Sequence, residues 1–297
     1  MWYKRREFIK LSSTIVSGLA LTGIGSKLSG CTGSVNAEAN NQDFGIQLYT
    51  VRDDMPKDPK KVLKQLASFG YKQIESYEHD KLGMFWGMKN TEFKKYLDDL
   101  GMKLVSSHCD INKDFERKAA EAAAIQMNYL ICPSLNSPKT LNNYKKAAQK
   151  FNECGQICKK NGIGFAYHNH DYSFKPLEGQ LPQDLLMMET DKALVDYEMD
   201  IYWVVTAGQD PVQWINKYPN RFKLFHIKDR IKNTPLTEKN ASTVVGTGSI
   251  DFPSIIKQAN KEGKKFYIVE QERYDGTTPL KAAQADAVYM KSLNLSV

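Results

Sequence analysis

The chain has 297 residues, of which 41% are hydrophobic and 25% are charged, and this composition is typical of a globular protein with a large buried core. It excludes a wholly disordered chain, a collagen-like chain and a small disulfide-stapled protein, since only five residues are cysteine. Much of the net charge of +7 comes from basic residues near the start. The rest of the chain is close to neutral, which gives no electrostatic reason to expect nucleic-acid binding.

The first part of the sequence has the features of an export signal. Arg5 and Arg6 precede a short apolar stretch and resemble a twin-arginine signal, while the residues up to Cys31 resemble a bacterial lipobox. We therefore predict a signal peptide over residues 1–30, lipidation at Cys31, and a flexible linker over residues 31–42. The protein would then lie on the periplasmic side of the cell envelope, touching the membrane only through its lipid. An ordinary secretion signal or an anchor helix are the alternatives.

From residue 44 onward, short apolar runs alternate with patterns typical of amphipathic helices. Capping residues mark several helix ends, such as Asp58-Pro59 at a start and Gly70 at an end. The predicted strands, in chain order, are 44–49, 71–75, 103–108, 129–132, 164–168, 193–199, 222–227 and 266–270. The main predicted helices are 59–69, one ending at Gly101, 115–127, 141–160, one starting at Asp210-Pro211, and 279–293.

Eight strands that alternate with helices imply a parallel sheet of the α/β class. Eight such units over residues 43–297 fit a single-domain (β/α)8 TIM barrel, and a doubly wound open sheet is the alternative. No strand is followed by the Gly-x-Gly-x-x-Gly turn of a dinucleotide site. Gly246-Thr247-Gly248 precedes a short helix and is interpreted as a turn.

Ionisable side chains collect where the predicted strands end, which is the face that carries the active site in barrels of this kind. They are Glu75, His108, His168, His170, Asp200, His226, Lys228, Asp229, Glu270 and Glu272.

Strands five to eight each supply one residue able to bind a metal ion. His168, Asp200, His226 and Glu270 would converge on one point, and mixed nitrogen and oxygen ligands suit one divalent ion of Mn, Co, Zn or Fe, with Mg possible. Taken singly, each residue also has a structural interpretation, such as a hydrogen-bonded histidine or a carboxylate paired with lysine. Glu198 is set aside as a ligand because it lies deeper in its strand, where an unpaired charge is costly.

Five segments together resemble the sugar phosphate isomerase/epimerase family of xylose isomerase-like TIM barrels. The resemblance implies a divalent metal held by strands five to eight, with Asp200, His226 and Glu270 at the usual Asp, His and Glu positions. His168 stands where the family usually has glutamate, so a simple exchange of a proton between two glutamates is not expected. The segments are residues 45–53, 167–171, 199–203, 226–229 and 268–271.

A metal beside adjacent sugar oxygens favours loss of the proton next to a carbonyl, with an enediolate as the intermediate. Candidate catalytic residues at the barrel mouth are Glu270, His170, Lys228, Glu75 and His108. Candidates for sugar binding are Trp203, Phe174 and Asp229, with Tyr49, Trp86 and Tyr172 as further aromatic side chains that either line a sugar pocket or pack in the interior.

The expected function is therefore a metal-dependent sugar isomerase or epimerase with a small-molecule sugar or glycoside as substrate. The same enediolate can expel a substituent, so a lyase or hydrolase of 3-keto-glycosides is an alternative. The predicted export to the cell envelope favours a glycoside over a sugar phosphate as substrate. A lipid-anchored sugar-binding protein without catalysis is a further alternative, and a DNA-repair nuclease is disfavoured by the nearly neutral charge of the chain after its first 30 residues.

Cys109 and Cys132 lie on neighbouring predicted strands, and they either form a disulfide or remain thiols. The sequence predicts no oligomeric state.

Overall fold

The structure, a computed structural model, describes residues 43–293 and Leu295. Its longer strands are β1 (Gly45–Gln47), β2 (Gln73–Tyr77), β3 (Lys103–His108), β4 (Tyr129–Cys132), β5 (Gly164–His168), β6 (Asp196–Asp200), β7 (Phe222–Ile227) and β10 (Phe266–Val269). Two short strands, β8 (Asp229–Arg230) and β9 (Ser242–Thr243), form an antiparallel ribbon after β7. The predicted signal peptide, the linker and the lipidation site at Cys31 lie outside the described residues.

Helices connect the strands. They are α1 (Pro59–Phe69), α2 (Asn90–Asp99), α3 (Phe115–Ala123), α4 (Leu141–Lys160), α5 (Pro182–Glu189), α6 (Ile201–Thr206), α7 (Pro211–Lys217), α8 (Phe252–Asn260) and α9 (Pro279–Ser292). Two 3-10 turns, η1 (Leu48–Val51) and η2 (Asp171–Phe174), follow β1 and β5. No helix in the described part of the chain combines the length and the apolar character needed to cross a membrane.

The eight longer strands form a closed parallel barrel. Their order around the ring is β1-β10-β7-β6-β5-β4-β3-β2, so the predicted TIM barrel is confirmed and the open sheet is excluded. In this ring β2 lies across from β6, and β3 lies across from β7. All eight strands point the same way, so their carboxyl ends meet at one mouth.

Local sequence rules explain the boundaries of α1. The Asp58 carboxylate accepts a hydrogen bond from the backbone N–H of Lys61 at 3.0 Å, and Pro59 occupies the first helical position. Gly70 ends the helix at φ 106°, a left-handed conformation that glycine adopts without steric cost. The helix therefore begins and ends as its capping residues predict.

The sixth strand starts later than predicted because a turn occupies its expected beginning. The backbone N–H groups of Leu194 and Val195 donate to the carbonyl of Asp191 at 3.0 and 2.9 Å, which removes them from the sheet. The strand instead continues to Asp200. Asp200 also caps α6, a helix that the sequence pattern did not predict.

One layer of the barrel interior below its mouth is apolar. Ile131, Ala166 and Leu224 form a small buried cluster, and Ala166 and Leu224 lie two residues before His168 and His226. Since residues two apart share one face of a strand, these apolar side chains lie one layer beneath the two histidines. A larger apolar core packs the helices against the outside of the barrel.

The described cysteines Cys109, Cys132, Cys154 and Cys158 are buried and free. Cys109 and Cys132 are therefore thiols in the structure and do not form the disulfide that was the alternative.

Candidate metal centre and cavity

Two clusters of buried ionisable side chains lie in the barrel and share one histidine. The outer cluster consists of His168, Asp200, His226 and Glu270, at or just beyond the ends of β5, β6, β7 and β10. The inner cluster consists of Glu75, His108, Glu198 and His226. In each cluster, one potential ligand atom from every member lies within 4.8 Å of the others.

The outer cluster has the spacing of a metal site. His168 Nε2 lies 3.4 Å from Asp200 Oδ2, and His226 Nδ1 lies 3.4 Å from Glu270 Oε2 and 3.8 Å from Asp200 Oδ2. Ligands bound to a common ion at about 2.0–2.2 Å are separated by similar distances. The four residues are those predicted as ligands from the sequence.

Three of these ligand atoms are buried and have no hydrogen-bond partner: His168 Nε2, Asp200 Oδ2 and His226 Nδ1. Buried polar atoms without a partner are rare in folded proteins, because each costs free energy of desolvation. Here the unpartnered atoms converge on one point, and a divalent cation there would satisfy all three. The donor set, with two imidazoles and two carboxylates, fits such an ion.

The other polar atom of each of these side chains is bonded to the protein. His168 Nδ1 donates to the carbonyl of Pro133 at 3.0 Å, and His226 Nε2 donates to Glu75 Oε1 at 2.7 Å. Asp200 Oδ1 accepts from the backbone N–H of Trp203 at 2.9 Å. Each side chain is thus held through one atom and offers the other, which is how metal-binding histidines are usually oriented.

The surroundings of the outer cluster keep its carboxylates charged. Burial alone would raise the pKa of Asp200 and Glu270, but Lys228 and the neighbouring histidines hold both pKa values below their usual range. Burial alone would lower the pKa of His226, but carboxylates led by Glu198 raise it well above its usual value. The two carboxylates of the outer cluster therefore stay negatively charged, and this negative charge favours a cation between them.

The inner cluster positions two imidazole rings. Glu75 is fully buried and accepts hydrogen bonds from His226, from Gln47 at 2.8 Å and from Ser106 at 2.6 Å. His108 Nε2 lies 2.8 Å from Glu198 Oε2 and 3.2 Å from Glu75 Oε1. Burial alone would lower the pKa of His108, but the two carboxylates raise it to about 9.

Two of these positions differ from the sequence interpretation. Glu75, a candidate base, does not line the cavity and instead contacts the rings of His226 and His108 from below. Glu198, set aside because of the cost of a buried charge, is buried in contact with both histidines. Pairing with imidazole removes much of that cost, and no sequence signal near Glu198 shows which residues from β3 and β7 will meet it.

Lys228 connects the outer cluster to a further carboxylate. Its Nζ lies 2.7 Å from Glu272 Oε2, 3.0 Å from Glu270 Oε2 and 3.8 Å from Asp200 Oδ2. Burial would lower the pKa of Lys228, but Glu270 and Glu272 raise it above its usual value. Lys228 is therefore a cation and a hydrogen-bond donor, not a base.

A cavity of about 550 Å³ opens over both clusters. His170 lies in its wall between the rings of Tyr172 and Trp203, at centroid distances of 5.5 and 5.3 Å. Burial and the nearby His168 lower the pKa of His170 to about 3, so its imidazole is neutral. The predicted site residues in the cavity wall are His108, His168, His170, Trp203 and Glu270.

Two residues predicted to bind sugar lie elsewhere. Phe174 is fully buried and packs edge-on against Trp214 at a centroid distance of 4.9 Å. The buried carboxylate of Asp229 accepts backbone N–H groups from Arg230, Gly246, Gly248 and Ile250. Asp229 therefore holds the loop after β9, and its position at the end of β7 did not reveal those partners. Its hydrogen bonds to Gly246 and Gly248 agree with the turn predicted there.

Comparisons with known proteins place the chain among xylose isomerase-like barrels. The model of the family described as "Xylose isomerase-like TIM barrel" matches residues 63–293. A solved structure from Parabacteroides distasonis, a sugar phosphate isomerase/epimerase, is 29% identical with a TM-score of 0.75, over 90% of this chain and 100% of that one. The 3-keto-D-glucoside 4-epimerase of E. coli, 14% identical, shares the fold with a TM-score of 0.64, over 84% of this chain and 99% of that one.

Curated relatives include inosose dehydratases. That of Clostridium perfringens is 30% identical over 162 residues, and that of Clostridium beijerinckii is 28% identical over 157 residues. The matches cover 50% and 49% of this chain, and 54% and 49% of the relatives. The chain thus spans about half the length of the curated relatives it matches.

Proposed function

The chain belongs to the xylose isomerase-like TIM barrel family, and we propose that it is a metal-dependent sugar isomerase or epimerase. The reaction begins with removal of a proton next to a carbonyl group of a sugar or keto-glycoside. The observation that carries this proposal is the set of three buried, unpartnered ligand atoms on His168, Asp200 and His226. They face a shared point beside a cavity large enough for a sugar.

We propose that His168, Asp200, His226 and Glu270 hold one divalent ion, with Mn, Co or Zn preferred by the two imidazole ligands. A divalent ion at this point would polarise the carbonyl of a bound sugar and favour loss of the neighbouring proton.

The residues of the cavity wall supply the proton transfers. Glu270 lines the cavity as a carboxylate, so it is placed to accept the proton. The low pKa of His170 makes its imidazole a weak base, and this ring serves instead as a hydrogen-bonding partner for the substrate. His108 is held through Nε2 by Glu198 and lines the cavity, so it can donate a proton to the substrate. Lys228 stays charged and fixes Glu270 and Glu272 in position.

A dehydratase or lyase is the second candidate, because curated relatives are inosose dehydratases. It needs the same proton removal, followed by loss of a substituent from the next carbon. The leaving group takes a proton, and His108 is placed to give it. A keto-glycoside would lose its aglycone in this way.

The proposed chemistry is tested by turnover in D2O with metal-loaded protein, offering free ketoses and 3-keto-glycosides. An isomerase or epimerase forms an isomer that carries deuterium at the reacting carbon, because the removed proton exchanges with solvent. A lyase forms an unsaturated ketone, which is visible by ultraviolet absorbance.

Three results contradict the proposal. A cleaved product without carbon-bound deuterium and without unsaturation would indicate hydrolysis that bypasses proton removal, and an isomer without carbon-bound deuterium would indicate direct hydride transfer between carbons. Binding of sugars without any turnover would indicate a sugar-binding protein. Mass spectrometry of the reaction mixture shows whether a product is formed and whether it carries deuterium.

We also propose that the protein is exported and lipid-anchored on the periplasmic side of the envelope. Support comes from Arg5, Arg6 and the lipobox ending at Cys31.

A further inference from the structure

The cavity extends well beyond the candidate metal centre. The outer cluster occupies the mouth over β5, β6, β7 and β10. The cavity wall continues on the opposite side of the ring, to residues at or just after the ends of β1, β2 and β3. Its volume of about 550 Å³ falls within the roughly 300–1,000 Å³ of pockets that bury drug-sized molecules. A single sugar ring at the metal centre would leave the opposite side empty.

The opposite side, here called the distal half, carries side chains suited to a hydroxylated ring. Aromatic rings stack on the apolar faces of sugars, and carboxylates bind hydroxyl groups through charge-assisted hydrogen bonds. The distal half consists of Tyr49, Tyr77, Glu78, His79, Asp80 and Lys113.

Tyr49 is an exposed aromatic platform at this rim. The residue is 40% exposed, and it is the only aromatic among the strongly exposed large hydrophobic residues of the described chain. It is nevertheless held in place, because the Arg52 guanidinium lies 4.6 Å from its ring centroid and the Tyr77 ring packs edge-on at 5.3 Å. An exposed ring that is fixed in advance loses little conformational entropy when it binds a ligand.

The loop between β2 and α2 is fixed in a strained conformation at Trp86. Trp86 packs edge-on against Tyr77 at 5.1 Å and donates from Nε1 to Ser76 Oγ at 3.0 Å. Its backbone has φ 57°, a left-handed conformation that is unfavourable for a bulky residue. Strain of this kind persists only where the surroundings enforce it, and it clusters at ligand sites.

A carboxylate of the distal half is also pre-positioned. Glu78 Oε2 accepts hydrogen bonds from the buried Lys118 at 2.6 Å and from the backbone N–H of Asp110 at 2.9 Å. Both bonds go to Oε2, so Oε1 is left for a ligand in the cavity.

We propose that the distal half is a subsite for a second hydroxylated ring, so that the substrate is a glycoside of two rings. This inference rests on the proposed function, because it assumes that the ring bearing the carbonyl group lies at the metal centre. The second ring then stacks on Tyr49 and hydrogen-bonds to Glu78.

The experiment compares kcat/KM for the 3-keto derivative of methyl glucoside with kcat/KM for 3-keto derivatives of cellobiose, maltose and trehalose. We expect the wild-type protein to prefer at least one disaccharide derivative by about tenfold, and Tyr49→Ala to reduce that preference to below about threefold. Tyr49→Phe, which keeps the ring, should retain the preference. Tyr96→Ala on α2, outside the cavity wall, should also retain it.

Equal kcat/KM for all four compounds in the wild type, or an equal loss for all of them in Tyr49→Ala, would overturn the subsite while leaving the proposed function intact. If none of these compounds and no free ketose is turned over, the proposed function fails. Calorimetric titration with cellobiose, maltose, trehalose and methyl glucoside then decides the subsite: tighter binding of a disaccharide that is lost in Tyr49→Ala supports it, and equal affinities refute it.

Discussion

A single imidazole links the two buried clusters. His226 donates from Nε2 to Glu75 in the inner cluster and points Nδ1 at Asp200 and Glu270 in the outer cluster. The hydrogen bond to Glu75 selects the tautomer whose Nδ1 lone pair can bind a metal ion. Glu75 therefore acts on the candidate metal centre through another residue, and we assign it a positioning role.

Replacing Glu75 by glutamine tests this role. Glu75→Gln keeps the size of the side chain but removes the negative charge behind His226, and we expect the metal dissociation constant to rise about 10- to 100-fold. Isothermal titration of the metal-free protein with Mn²⁺ or Zn²⁺ measures it. Glu121→Gln, which removes an exposed partner of Arg117 on α3, serves as the control and should leave the affinity unchanged. An unchanged affinity in Glu75→Gln would refute the positioning role.

Asp200 allows the ligand role to be separated from folding. Its Oδ1 caps α6, and asparagine caps helices about as well as aspartate. Asp200→Asn should therefore remain folded, with an unchanged melting temperature to within a few degrees, while losing stoichiometric metal by elemental analysis.

The matched control is Asp210→Asn, because Asp210 caps α7 in the same way and lies outside the metal centre. It should keep full metal content. Full metal content in folded Asp200→Asn would show that Asp200 is not a ligand.

At the scale of elements, two buried carboxylates fix the loop between β9 and α8. Asp229, just after β7, accepts the backbone N–H groups of Gly246 and Gly248, and Asp286 of α9 accepts that of Val245 at 2.8 Å. A Cβ added to Gly248 would collide with Asp229 and with the carbonyl of Arg230, so the loop approaches the strand end too closely for any other residue. Asp229 thus joins β7 to the loop, and Asp286 joins the loop to α9.

Asp286 makes stability depend on pH. Burial, together with the nearby Asp229, raises the pKa of Asp286 to about 8, whereas in the unfolded chain an aspartate titrates near about 3.9. Between these values only the folded protein keeps the proton, so raising the pH through this window lowers the free energy of unfolding. Above about pH 8 the folded protein bears the full free-energy cost of an ionised, buried Asp286, and below about pH 4 this cost is absent.

Asp286→Asn removes this titration and keeps an acceptor for Val245. We expect the free energy of unfolding of the variant, minus that of the wild type, to grow from pH 5 to pH 8 and then level off. The slope should not exceed about 1.4 kcal/mol per pH unit. Urea unfolding at pH 5, 6, 7, 8 and 9 measures the difference, and a value that does not vary with pH would contradict the assignment.

For the whole molecule, the closed ring explains why the outer cluster and the distal half border the same cavity. Parallel strands bring the outer cluster on β5, β6, β7 and β10 and the distal half beyond β1, β2 and β3 to the same mouth. Beneath this mouth lie the inner cluster and a layer of apolar side chains. The proposed sugar chemistry would thereby take place at one end of the barrel.

Attachment to the membrane is tested on the full chain. We expect Cys31→Ala to move the protein from the membrane fraction to the soluble fraction, because a lipid chain on Cys31 would be its membrane anchor. Fractionation followed by immunoblotting measures this, with Cys154→Ala as a control that removes a buried thiol of the barrel. Membrane attachment that survives in Cys31→Ala would refute lipidation at this residue.

Much of the architecture follows from local sequence rules. The predicted bounds of the third, fourth, fifth and seventh strands coincide with β3, β4, β5 and β7, and helix 141–160 coincides with α4. The apolar runs, the capping residues and the glycines act over a few residues, so they can be read without the fold. The four ligand candidates follow as well, because parallel strands bring their carboxyl ends together in any closed barrel.

Side-chain partners depended on the tertiary structure. Glu75 and His226 are 151 positions apart in the chain, and only closure of the ring brings them into contact. The same holds for Glu198 with His108, and for Asp229 with the loop it holds, whereas Phe174 packs against a helix that its own sequence segment does not specify. A strand-end position indicates that a residue can reach the mouth, but its role depends on which distant polar atoms need a partner once the barrel is packed.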